Sequence, residues 1–144
     1  MSGTEQQALA DALGAEYAAV YAYGMIATHA GADQQRTVAQ YTAAHRARRD
    51  ATVDILSGRR GTVPPPEAAY TMPLAVTDPD TAAQLAIVVE TDTAVAWRAV
   101  VEQADTDTTR RIGIEALTES AGRLAVWRSV RGADPASTAF PGRP

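Results

Sequence analysis

Cysteine is absent from the 144-residue chain, which excludes disulfides, thiolate metal sites and cysteine nucleophiles. Lysine is absent too: all 13 basic residues are arginine, so Schiff-base chemistry and a phosphate-loop lysine are excluded. Aromatic residues are only 6% of the chain, and much of its apolar content is alanine. Alanine is the strongest helix former and lets helices pack closely, so this composition predicts an all-α protein. There is no basic excess. The formal net charge of −4 argues against a general nucleic-acid or anionic-membrane binder. No apolar run reaches membrane-spanning length, and the opening MSGTEQQALADAL lacks the basic start and apolar stretch of a targeting leader. A cytoplasmic protein is the expectation, and arginine-only basicity points to a GC-rich bacterial genome.

The length suits one domain with a single core. Thr4 and Gln7 stand at capping-box spacing before a periodic stretch that stops near Gly31. Its apolar stripe runs through Leu9, Leu13, Glu16, Val20, Tyr23 and Ala27, the 3-4 spacing of one helical face. A second stripe carries Val38, Tyr41, His45, Thr52, Ile55 and Leu56 and stops at Gly58. The stretch that follows is rich in proline, which removes backbone donors and breaks helices. Asp78-Pro79 then opens a third helix with the stripe Ala83, Ile87, Glu90, Ala94, Trp97 and Val101. A turn at Asp105 and Asp107 leads to a fourth helix ending at Gly132. The predicted helices span about 5–30, 33–57, 79–104 and 107–131, with a crossover at 58–78 and an unstructured tail at 133–144.

The chain also repeats. A shift of 74 residues lays Thr4 on Asp78, Glu16 on Glu90, Tyr23 on Trp97, Arg49 on Arg123 and Gly58 on Gly132. Two helical hairpins joined by one long crossover is the connectivity of ferritin-like four-helix bundles.

Glu16 and Glu90 lie within apolar stripes. A carboxylate there is costly unless it is paired, protonated or bound to a metal. Di-iron and di-manganese bundles use one Glu from each of two helices and a Glu-x-x-His pair from each of the others. Carboxylates suit and bridge hard divalent ions, while histidine supplies a terminal nitrogen. Here both pairs are broken. His45 has Thr42 three residues earlier, and the repeat puts Glu119 where the fourth-helix histidine would be, with Ala116 in the Glu position. Glu115, one turn before Glu119, is a substitute ligand outside that pattern. Arg49 and Arg123 stand one turn after His45 and Glu119. Two arrangements satisfy this set. In one, Glu16, His45, Arg49, Glu90, Glu119 and Arg123 form a metal-free, charge-compensated polar core. In the other, Glu16, His45, Glu90, Glu115 and Glu119 hold iron or manganese, and the arginines turn to solvent on stems laid over apolar surface.

Apolar residues also occupy second faces: Tyr17, Tyr21 and Met25 on helix 1, Leu85, Val88 and Val95 on helix 3, and Ile114, Leu117, Leu124 and Trp127 on helix 4. Either the crossover covers them or a twofold homodimer does. Alanine-rich inner positions leave room for a small ligand between the helices.

The Glu16-x6-Tyr23 spacing, the doubled hairpin and the segments AAHRARRD and VVETDTAVAWRAVVEQA resemble the ferritin-like superfamily. More narrowly, they resemble an actinobacterial ferritin-like domain family of unknown function. The resemblance covers residues 4–132 and implies a cytosolic, dimeric helical bundle with no established activity. The expected function is that of a non-catalytic binding or scaffold protein without a cofactor. The alternative is an iron- or manganese-binding protein or a divergent oxidase.

Overall fold

A computed structural model describes all 144 residues and contains four long helices and no strand. They are α1 (Gly3–His29), α2 (Gln35–Gly58), α3 (Pro79–Gln103) and α4 (Asp107–Val130), with a short 3-10 turn, Ala32–Gln34, before α2. None is long and apolar enough to cross a membrane.

Three of the four helix starts have a side-chain cap. Asp78 and Thr81 form a full capping box, with Pro79 opening α3. Thr106 caps α4 through the Thr109 amide. For α1 the cap is Ser2, whose hydroxyl accepts from the Glu5 amide at 3.2 Å. Thr4 was the expected cap, but it lies inside the helix and its hydroxyl contacts that of Ser2. The ends differ as well. α4 closes in a Schellman motif, with Gly132 at φ 79° and Ala133 donating to the Arg128 carbonyl. α2 closes in the same motif with Arg60, at φ 56°, as its left-handed residue. Gly58, expected to match Gly132, is instead the last helical residue. The repeat therefore holds within the helices and slips at their ends.

α2 packs on α1, α1 on α3 and α3 on α4, while α2 and α4 meet through long side chains, Arg48 with Glu119 and Tyr41 with Trp127. Contacts between α1 and α3 run in opposite order, Glu16 to Trp97 and Tyr23 to Glu90, so these helices are antiparallel. At Gly113 α4 lies close against α3, and a Cβ there would stand 2.8 Å from Val101 Cγ2. One apolar cluster gathers around Tyr23, Ile26, Leu85 and Trp127, a second around Leu9, Leu13, Leu56 and Trp97. The polar cluster lies between them.

Most of the surplus apolar surface is covered by the crossover, 59–78. Tyr17 donates to the Pro64 carbonyl, Tyr21 packs on Tyr70, and Met72, Leu74 and Val76 lie against the upper core. On α4, Ile114, Val126 and Val130 remain exposed. The tail, expected to be unstructured, carries no helix, yet Gly142 at φ 77° is placed against Ala94 and Arg98 of α3.

Candidate functional site

Each helix sends one charged side chain to a common point: Glu16 from α1, His45 from α2, Glu90 from α3 and Arg123 from α4. Glu16, His45 and Glu90 are fully buried and Arg123 is 8% exposed. His45 spans the two acids, with Nδ1 2.6 Å from Glu16 and Nε2 2.6 Å from Glu90. Arg123 Nε donates to both Glu90 oxygens at 3.0 Å, and its Nη2 donates to Ser120 at 3.2 Å.

Aromatic donors complete the network. Trp97 Nε1 donates to Glu16 Oε1 at 2.8 Å, Tyr23 donates to Glu90 Oε1 at 2.9 Å, and Trp127 Nε1 donates to the Tyr23 hydroxyl at 2.9 Å. Both indoles and the phenol thus bury their apolar bodies without orphaning their polar ends.

A neutral imidazole has one N–H and could donate to only one acid. Both contacts are satisfied when His45 is protonated. Burial opposes that charge, but hydrogen bonds to Glu16 and Glu90, together with their charges, push His45 up to about 9. Burial likewise opposes charge on Arg123, and the Glu90 carboxylate beside it more than compensates, so its pKa rises. Tyr23 is held well above the usual phenol range by burial and then by Glu90. Two carboxylates therefore face two cations. The cluster is neutral overall and densely hydrogen-bonded, the condition under which buried charges are tolerated.

Three expected members of the site lie elsewhere. Glu119 is 51% exposed and pairs with Arg48 at 2.7 Å. Arg49 turns outward and pairs with Asp50 at 2.8 Å. Glu115 is exposed. The inner stripe of α4 runs Gly113, Ala116, Ser120, Arg123 and Trp127, all buried at 3-4 spacing. Glu119, one residue before Ser120, is rotated about 100° off that stripe. Arg49 stays out for a charge reason: His45 and Arg123 already balance the two carboxylates, and a third buried cation would be uncompensated.

The sequence places Tyr23 and Trp97 as core aromatics and does not single out Ser120; Trp127, expected on a second apolar face, is buried on the inner stripe of α4. The 3-4 spacing of Ser120, Arg123 and Trp127 was the available signal. Sequence reasoning also missed Glu5, which is 1% exposed, pairs with Arg59 at 3.3 Å, and has an Oε2 that meets no protein donor.

The donor set does not fit the pair of metal ions that the resemblance implies. Only Glu16, His45 and Glu90 converge. These are three donors where the two-metal pattern uses six, and Arg123 places a fixed cation on Glu90.

Comparison with curated proteins finds no match. Among solved structures, the chain is similar to the crystal structure of a conserved hypothetical protein, rv2844, from Mycobacterium tuberculosis. The TM-score is 0.86 at 40% identity, over 90% of this chain and 99% of that one. Residues 8–144 match the family model described as a domain of unknown function, DUF4439. With a match that takes in all but the first turn or two of α1, the chain belongs to the DUF4439 family.

Proposed function

We propose that the chain is a ferritin-like four-helix bundle acting as a non-catalytic binding or scaffold protein, with a charge-compensated cluster where related bundles hold metal. The observation that carries this reading is His45, which engages Glu16 and Glu90 through both ring nitrogens at 2.6 Å. Two hairpins joined by the 59–78 crossover, with one polar side chain from each helix meeting at the centre, support the ferritin-like architecture. The cations that would repel a metal also remove the need for one. A cytoplasmic homodimer from an actinobacterium belongs to the same reading; the mycobacterial neighbour supports the source, and exposed Ile114, Val126 and Val130 support the dimer.

The test is elemental analysis of protein expressed with iron and manganese supplied. Trace metal only is expected, equal in wild type and in the Glu16→Gln/Glu90→Gln double variant. Stoichiometric metal in wild type that disappears in the double variant would overturn the reading.

A further inference from the structure

The backbones of α2 and α4 are more widely spaced than those of the other neighbouring helices, and an open cleft of about 390 Å³ lies between them. One wall is Ala44, Ala47 and Ala51 of α2, one helical face with no side chain long enough to fill the gap. The other lining groups are Arg48, Glu119 and Arg123. Arg123 is more than nine-tenths buried. Its Nε and Nη2 are used by Glu90 and Ser120, and no protein acceptor meets Nη1. The Arg48 guanidinium is held over the Trp97 ring at 5.8 Å, and its side chain is 17% exposed. Its Nη2 is taken by the Glu119 carboxylate at 2.7 Å, and Glu119 is itself 51% exposed.

We propose that this cleft binds a small carboxylate, which takes the place of the Glu119 carboxylate on Arg48 in the groove that Arg123 also lines. Two oriented guanidinium groups on one open groove suit a planar carboxylate, because the fork of N–H donors matches its two oxygens. The alanine wall admits the apolar body that a small carboxylate carries. Glu119 acts as an internal competitor: its carboxylate satisfies Arg48 when the cleft is empty and swings to solvent when a ligand enters. The inference rests on the neutral-cluster reading, since Arg123 must stay in place without metal at Glu90.

The probe is sodium benzoate, titrated calorimetrically at low ionic strength into full-length protein dialysed against chelator, with benzamide as the uncharged analogue. Benzoate is expected to saturate at one site per chain and benzamide not to bind. Glu119→Gln, which frees Arg48 and removes a repelling charge, is expected to tighten benzoate binding by about tenfold. Arg48→Gln is expected to weaken it by about tenfold or more. Neither residue hydrogen-bonds a member of the buried network, although Arg48 covers the Trp97 ring, and circular dichroism checks that both variants fold. The proposal is overturned if neither wild type nor Glu119→Gln binds benzoate, if benzamide binds equally, or if either variant fails to shift affinity in the stated direction. Metal analysis of the undialysed protein separates this failure from that of the neutral-cluster reading.

Discussion

Tyr23 and Trp97 occupy equivalent places in the two hairpins, and each hydrogen-bonds the glutamate of the other: Tyr23 reaches Glu90 and Trp97 reaches Glu16. The exchange ties α1 to α3 at two levels, and His45 bridges the pair of acids between them. Tyr23 has a second duty, because its oxygen accepts from Trp127. Tyr23→Phe thus removes a donor from a buried carboxylate and orphans a buried indole N–H in one step. A loss of about 2 to 4 kcal/mol is expected in urea unfolding, above the usual cost of one neutral hydrogen bond. A loss under about 0.5 kcal/mol would mean the network does not contribute as described.

His45 makes stability fall with rising pH. Its pKa is about 9 in the folded protein against 6.5 for the free group. A raised folded-state pKa stabilises fully below the unfolded value and loses that contribution as pH rises through the folded one. Stability is therefore expected to decline between about pH 6.5 and 9.5, by on the order of 3 kcal/mol. The check is chemical denaturation across that range with wild type and His45→Gln. The variant should lose most of the slope.

Breaking one partner of the buried pair should hurt more than breaking a surface pair. Glu90→Gln leaves Arg123 and His45 without their shared anion and is expected to cost about 3 to 5 kcal/mol. Glu119→Gln breaks a half-exposed pair and should cost less than about 1 kcal/mol. Arg123→Met combined with Glu90→Gln should cost less than the sum of the single changes, since each relieves the charge that the other strands. Parallel unfolding curves for the wild type, the three single variants and the double variant decide this.

Gly113 of α4 lies close against Val101 of α3. In Gly113→Ala, the new methyl would meet Val101 Cγ2 at 2.8 Å and the Val101 amide nitrogen at 3.2 Å. About 1 to 3 kcal/mol of destabilisation is expected despite the better helix propensity of alanine. The double variant Gly113→Ala/Val101→Ala should recover part of the loss. Thermal melts of both test the close approach.

Much of this was legible in the sequence, for identifiable reasons. Four helices follow from alanine content, 3-4 apolar spacing and proline-rich punctuation, and Asp78-Pro79 marked the start of α3. Glu16 and Glu90 stood out because an acid in an apolar stripe has to be answered by something. What answers them was harder to read. The 74-residue register placed Arg49 and Arg123 alike, but a buried cluster is governed by its total charge, and only one arginine was needed. The same register drew Glu119 inward, although α4 turns its Ser120–Arg123–Trp127 stripe to the core. Ser2 and Arg60 were missed because caps depend on backbone geometry at single residues, which a repeat with slipped ends does not transmit.

The chain's two tryptophans are both fully buried, and each is wired to the cluster, Trp97 directly to Glu16 and Trp127 through Tyr23 to Glu90. No surface indole contributes a background signal. Ultraviolet emission from the unlabelled protein is thus a local optical readout of the electric field around His45, and it should change with that residue's protonation while the helices stay folded.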